Sequence, residues 1–246
     1  MPKTLILGHR GSSGEAPENT LAAIKAAKEA GADGVEFDVK LTKDREVVLL
    51  HDPKVDRTSN GKGFVKDIFF NDLRKLDFGE WKGNAFKGER APLLADVFEE
   101  FGDDFLLNIE ITNYLTPKDG LVEEITKVVR RSGKEMNLLF SSFSSKNLAM
   151  VKQYIPNALV GQLVLPGLAG WRQRMACAEN YLYSVHPYLS NIGNGFVSKA
   201  IKEGKRIFVW TVNDQENIKN AIRLGANAII TDYPGQVIGW LDGNNK

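Results

Sequence analysis

The sequence predicts an α/β fold, read here as eight parallel strands closed into a (β/α)8 barrel with a small insertion after the hairpin of the second barrel strand. Three observations carry that reading. Short apolar runs alternate with amphipathic stretches along the 246 residues; the strand candidates reduce to eight once one hairpin is recognised; and Gly-Ala steps at 31–34 and 225–228 mark helix ends turning into strands. A doubly wound open sheet writes much the same rhythm, so periodicity alone leaves both architectures standing.

The first strand candidate, 4–8, is an apolar run that stops at His9. Asn19-Thr20 then offers a cap for a helix over 21–30, which Gly31 ends. A second strand over 34–40 is followed by the turn 42–45, too short to hold the crossover helix that a parallel partner would need. The run 47–50 must therefore return antiparallel. With the turn centred between Lys43 and Asp44, Glu36 falls opposite His51, and Asp38 lies two residues along the same face. Setting that return strand aside leaves 105–111, 137–142, 158–163, 181–185, 206–212 and 228–231, which with the first two make eight. Helices are expected over 93–101, 121–132, 145–154, 195–203, 214–224 and 235–241.

The stretch 53–92 breaks this rhythm. It is long for a connection and carries Phe69, Phe70, Leu73, Leu76, Phe78 and Trp81, side chains that need something to pack against. It is read as an inserted segment over the barrel mouth, within a single domain spanning 1–246.

Composition excludes several classes. Thirty-two basic and 31 acidic side chains leave a formal charge of +1, so no global field recruits nucleic acid or an anionic membrane surface. The sole cysteine, Cys177, excludes an intrachain disulfide and a thiolate-rich zinc site, and fits a reducing compartment. The apolar run before His9 is too short for a signal-peptide core, and no later run approaches a membrane span. A soluble, cytoplasmic protein without a stable membrane anchor is expected, with a composition compatible with a homo-oligomer.

Chemistry concentrates on few residues. Of three histidines, His9 and His51 bracket the pair Glu36-x-Asp38. In a barrel, side chains at the C-terminal ends of different strands converge on one mouth, which brings Glu110 of the third barrel strand to the same place. A glutamate inside a strand is costly to bury without a partner, and three carboxylates together repel one another. A divalent cation is the usual remedy. A lone histidine is commonly a satisfied core residue, whereas two beside the same acids point to acid/base catalysis. Arg10 offers a bidentate phosphate donor. Phe143, His186 and Trp210, near strand ends, are expected to line the mouth, against the alternative that they only pack. Asn19 reads equally as a helix cap or a site residue, and Asp232 as a cap for the last helix.

In chain order the sequence carries His9-Arg-Gly11, Pro17-Glu-Asn-Thr20, Glu36-Phe-Asp38-Val, His51-Asp-Pro53, Asn108-Ile-Glu110, Ser142-Phe143, Trp210-Thr-Val-Asn213 and Thr231-Asp-Tyr-Pro234. Over nearly the whole chain this ordered series resembles the glycerophosphodiester phosphodiesterase family. The resemblance implies a TIM barrel with a segment inserted after the His-Asp motif, and hydrolysis of glycerophosphodiesters to sn-glycerol 3-phosphate and an alcohol. It further implies that Glu36, Asp38 and Glu110 hold one divalent metal ion, Mg2+ or Ca2+. His9 and His51 would then form the general acid/base pair, with Arg10 clamping a phosphate oxygen.

One position departs from the family pattern. Where the family commonly reads Ile-Glu-Ile-Lys, this chain reads Ile109-Glu110-Ile111-Thr112, and the residues offer no evident replacement for the lost cation. Two alternatives accompany the main expectation: a lysophospholipase D-type activity, with Phe69, Phe70 and Trp81 receiving an acyl chain, and a phosphate-ester-binding barrel with weak turnover.

Overall fold

The computed structural model describes residues 3–102, 105–133 and 137–243. The elements run β1 (Leu5–His9), α1 (Leu21–Glu29), β2 (Gly34–Leu41), β3 (Val47–Leu49), α2 (Phe70–Leu73), α3 (Leu94–Phe101), β4 (Leu106–Ile111), α4 (Leu121–Ser132) and β5 (Leu138–Ser142). They continue as α5 (Ser145–Tyr154), β6 (Leu159–Val164), α6 (Trp171–Ala176), β7 (Ser184–Pro187), α7 (Gly195–Lys202), β8 (Arg206–Val209), α8 (Gln215–Arg223), β9 (Ala228–Thr231) and α9 (Pro234–Gly243).

Eight strands pair in parallel in the order β1, β2, β4, β5, β6, β7, β8, β9, and β9 pairs back onto β1. The fold is a closed (β/α)8 barrel, which removes the open edges a doubly wound sheet would leave. Inside it, Leu7, Leu139, Phe208, Ala228 and Ile230 form an apolar plug. Outside, two larger clusters fill the space between strands and helices.

The ninth strand, β3, pairs antiparallel with β2, but one residue away from the expected register: Val39 faces Leu49 and Lys40 faces Val48. The turn is the reason. Thr42 N donates to Glu46 O, which leaves three residues in the loop, and Arg45 takes a left-handed conformation at φ 67°. That is the three-residue hairpin loop, centred on Asp44 rather than between Lys43 and Asp44. His51 is consequently not the partner of Glu36. The ladder ends before it, with Leu50 N donating to Asp38 O at 3.1 Å.

Two strands share one edge of β2. Residues 34–36 pair with β1, residues 39–41 pair with β3, and β4 takes the opposite edge along 34–39. β1 leaves that edge at His9, where Arg10 (φ 54°) and Gly11 (φ 83°) turn the chain sharply toward α1. A Cβ at Gly11 would lie 2.5 Å from the Ala23 carbonyl carbon, so only glycine fits the turn. Running the other way, β3 delivers His51 back toward the vacated edge.

Two further differences have physical causes. β7 begins at Ser184, three residues later than expected, because Ser184 and His186 are buried polar residues that an apolar run does not count. α6 was not expected, since its six residues bury none of their side chains and show no apolar stripe. Between β3 and α3, Val55, Val65, Leu73, Phe78 and Ala91 build a small core on Val48 and Leu50, with Phe70 and Leu76 against it. Phe69 and Trp81 stay about half exposed, under Lys43 and Lys82 respectively. Among the described residues no helix is long and apolar enough to cross a membrane.

Candidate active site

At the C-terminal ends of the strands lies a cavity of about 250 Å³, lined by His9, Arg10, Glu36, His51, Glu110, Phe143 and Trp210 together with Leu163, Leu165 and Ile230. Strand register explains most of this set. His9 pairs with Glu36 and Asp38 with Glu110, and alternation along each strand turns these side chains inward.

Glu36, Asp38 and Glu110 each offer a carboxylate oxygen within 4.8 Å of the others. Burial, then the charges of Asp38 and Glu110, raise the Glu36 carboxyl well above its usual range. Burial and the charge of Asp38 push Glu110 up to about 8. Partners fix two of the three: Asn19 donates its Nδ2 to Asp38 Oδ2 (2.9 Å) and accepts from Asp38 N, while Tyr114 donates its hydroxyl to Glu110 Oε1 (3.0 Å). Thr20, not Asn19, caps α1, so Asn19 is held in the left-handed region (φ 58°) by its contacts with Asp38.

Each of the two histidines leans on an aspartate. His9 Nδ1 donates to Asp232 Oδ1 at 2.6 Å, and His51 Nδ1 donates to Asp52 Oδ1 at the same distance. Burial works against the charge of Asp232, but hydrogen bonds from His9, Asn213 and Ser13 outweigh it and hold this carboxyl near 2. Asp52 is held near 2 chiefly by its hydrogen bond from Arg57. An ionised carboxylate can only accept, so Nδ1 of each ring carries the proton and Nε2 is left free for chemistry. In His9 that nitrogen stands 4.0 Å from Glu36 Oε2. Asp232 therefore orients His9 rather than capping the last helix. Its distance in sequence from His9 hid this, whereas Asp52 could have been suspected from the His-Asp pair itself.

Arg10 lines the cavity with its charge already engaged, by Glu18 at 2.8 Å and Asp38 at 3.4 Å. Glu18 in turn holds Arg57, which binds Asp52, so one ion network ties the β1–α1 loop to the segment after β3. Phe143 and Trp210 stand edge to face with ring centres 5.6 Å apart, and Tyr114, which sequence reasoning missed, packs on Phe143 at the same separation.

His186 is not at the mouth. Fully buried in the barrel interior, it stacks on Phe208 and bonds Ser184 Oγ through Nε2 at 2.8 Å, and burial presses its pKa down to about 3. A Cβ on Gly161 would come within 2.3 Å of that nitrogen, a measure of how tightly the ring is enclosed. The expectation for His186 is corrected accordingly: the strand runs two residues further than the apolar pattern suggested, which draws the ring below the rim.

At Thr112 the structure supplies a cation from the neighbouring strand. Lys40 Nζ donates to Thr112 O (2.7 Å) and Thr112 Oγ1 (3.0 Å), and Thr112 Oγ1 donates to Val39 O. Lys40, Thr112, Tyr114 and His51 also line a second cavity of about 310 Å³, with Leu41, Phe64, Val65 and Leu115 beside Lys66, Asn113 and Asp119. The acyl-chain aromatics expected from sequence, Phe69, Phe70 and Trp81, line neither cavity.

Comparison with known proteins finds relatives that match over nearly the whole chain. The model of the glycerophosphoryl diester phosphodiesterase family matches residues 9–236. A glycerophosphodiester phosphodiesterase of Caldanaerobacter subterraneus is 43% identical over 238 residues, covering 96% of this chain and 97% of the relative. One from Bacillus altitudinis is 32% identical, covering 96% and 97%. Among solved structures, an Oleispira antarctica phosphodiesterase in complex with the product sn-glycerol-3-phosphate superposes with a TM-score of 0.83 at 31% identity, over 97% of this chain and 96% of that one. A Thermotoga maritima glycerophosphodiester phosphodiesterase does so with a TM-score of 0.78 at 31% identity, over 97% and 99%.

Proposed function

The chain belongs to the glycerophosphoryl diester phosphodiesterase family of phosphoric diester hydrolases, and on that premise we propose that it converts small glycerophosphodiesters to sn-glycerol 3-phosphate and an alcohol by metal-assisted acid/base catalysis. The observation that carries the reading is the meeting, at one cavity, of Glu36 and Glu110 from a three-carboxylate cluster with two aspartate-backed histidines.

The cluster fits a divalent cation. Glu36 Oε1 is buried without a hydrogen-bond partner, and both Glu36 and Glu110 are poorly suited to ionisation on their own. Hard oxygen donors of this kind suit Mg2+ or Ca2+. Held by Glu36, Asp38 and Glu110, such an ion would neutralise charge on the phosphodiester.

The chain's own residues do the rest. One of His9 and His51 takes a proton from the attacking oxygen through Nε2, and the other gives a proton to the departing alcohol oxygen. Asp232 and Asp52 keep each ring in the required tautomer and stabilise its protonated form. Arg10 orients a phosphate oxygen, while Phe143 and Trp210 wall the cavity. Residues 53–92 are read as an inserted segment of a single domain over the barrel mouth, joined to the β1–α1 loop where Lys82 Nζ donates to Ser13 O and Arg57 binds Glu18. The absence of a membrane-crossing helix among the described residues and the single cysteine favour a cytoplasmic enzyme acting on diesters left by lipid deacylation.

The side chains of Leu41, Phe64, Val65 and Leu115 in the cavity beside His51 favour a second reading with the same chemistry, in which that space receives an acyl chain. A panel of deacylated and acylated glycerophosphodiesters, assayed for released glycerol 3-phosphate with Mg2+, Ca2+ or chelator, separates the two. The proposal expects deacylated substrates to be preferred and chelation to abolish release. Robust turnover in EDTA would end the metal role.

A further inference from the structure

β2 and β4 form a ladder whose rungs climb toward the mouth: Glu36 beside Asn108, then Asp38 beside Glu110. The next rung on the same face is Lys40 beside Thr112. Its ammonium lies in the field of Asp38, Glu110, Asp52 and Asp119.

The attachments of this lysine are unusual. Both of its hydrogen bonds go to Thr112, to the backbone carbonyl and the hydroxyl, and both partners are neutral. Thr112 can hold it because the hydroxyl proton is already committed to Val39 O, which leaves oxygen lone pairs facing Lys40. The long side chain is thereby fixed across the strands, when a free lysine would extend into water. An ammonium has three donors and two are spent on Thr112, while the carboxylates that act on Lys40 do so without an ion pair, which leaves one donor for an arriving anion.

The other cations at the mouth hold carboxylates: Arg10, which is also given a phosphate oxygen above, pairs with Glu18 and Asp38, and Arg57 pairs with Glu18 and Asp52. Among the described residues no ion pair joins Lys40 to a carboxylate. It lines the 310 Å³ cavity together with His51, which also lines the cavity that holds His9, Glu36 and Glu110.

We propose that Lys40 is a substrate-binding residue whose ammonium, positioned by Thr112, takes a phosphate oxygen of the anionic ester. This rests on the phosphodiesterase reading above and adds to it a residue on the strand neighbouring the one where sequence reasoning missed a cation. Any phosphate ester or inorganic phosphate reaching the cluster meets the same group, so the ligand class is the phosphate anion itself.

The test is calorimetric titration of the Mg2+-loaded protein with sn-glycerol 3-phosphate and with inorganic phosphate. Charge-assisted hydrogen bonds of this kind set the expected size. K40M should weaken binding of both ligands by about 10-fold or more, and the exchanged variant K40T/T112K, which moves the ammonium to the other strand of the same rung, should recover it to within about threefold of the parent. Binding by K40M within about twofold of the parent overturns the proposal. So does a weakened K40M that the exchange fails to rescue, since the loss would then be structural. A parent that binds these ligands but hydrolyses no diester defeats the phosphodiesterase reading while leaving the Lys40 comparison decisive; a parent that binds neither ligand defeats both.

Discussion

His9 and Asp232 stand 223 residues apart in the sequence and 2.6 Å apart at the barrel mouth, where the first and last strands of the barrel close against each other. Barrel closure thus assembles one of the two histidine–aspartate pairs, while the other, His51 with Asp52, comes from adjacent residues.

Asp232→Asn removes the ionised acceptor and leaves the ring with no enforced tautomer. A general acid/base contributes on the order of 10²–10⁴-fold, so kcat should fall by about 10²-fold with KM nearly unchanged. Steady-state kinetics on one diester checks this. A rise in KM with kcat intact would make Asp232 a binding residue instead.

The carboxylate cluster makes metal-free stability depend on pH in an uncommon direction. Glu110, pushed up to about 8, and Glu36, raised well above its usual range, bind protons more tightly folded than unfolded. Their contribution is therefore favourable at low pH and declines as pH rises from the ordinary carboxylate range, about 4.3, through about 8. Thermal melts of metal-free protein should show Tm falling between about pH 6 and 8, and added Mg2+ or Ca2+ raising it more at the higher pH. Glu110→Gln should flatten the metal-free slope. An equal metal effect at both pH values would contradict the assignment.

His186 acts in the opposite range. With a folded pKa near 3, below the ordinary 6.5, it favours the fold while neutral, and that contribution is lost as pH falls from about 6.5 toward 3. His186→Phe, which keeps a ring against Phe208, should lose less stability than the parent between pH 7 and 5 in urea titrations. Because His186 does not line the cavity, kcat/KM at neutral pH should stay within about threefold of the parent.

Gly11→Ala tests the turn that frees the edge of β2 for β3. At φ 83°, with a Cβ 2.5 Å from the Ala23 carbonyl carbon, alanine should cost about 3 kcal/mol in urea unfolding. A loss below about 1 kcal/mol would show that the turn relaxes easily.

The sequence rendered the barrel legible because each strand is a short apolar run and each α/β unit repeats it, and because the turn after Leu41 is too short for a crossover. Register was harder to read. One residue in the left-handed region, Arg45, moves the whole hairpin by a position, and nothing in the apolar pattern marks it. His9, Glu36, Asp38, His51 and Glu110 were readable as reactive residue types at strand ends, and they do share one cavity or cluster. Asp232, Tyr114 and Lys40 were not, since their roles follow from which strands become neighbours. His186 misled because a histidine at a strand end and one a single layer deeper look the same in one dimension.

The central claim is that His9 and His51 divide acid and base work, and leaving-group dependence tests it most directly. His9→Ala and His51→Ala would each be assayed on an alkyl glycerophosphodiester and on its p-nitrophenyl analogue, whose leaving group needs no proton. The account predicts that both variants lose about 10²-fold or more on the alkyl diester, and that only one, the acid variant, regains most of its rate on the activated one. Full activity of either variant on the alkyl diester, or identical losses on both substrates for both variants, would contradict it.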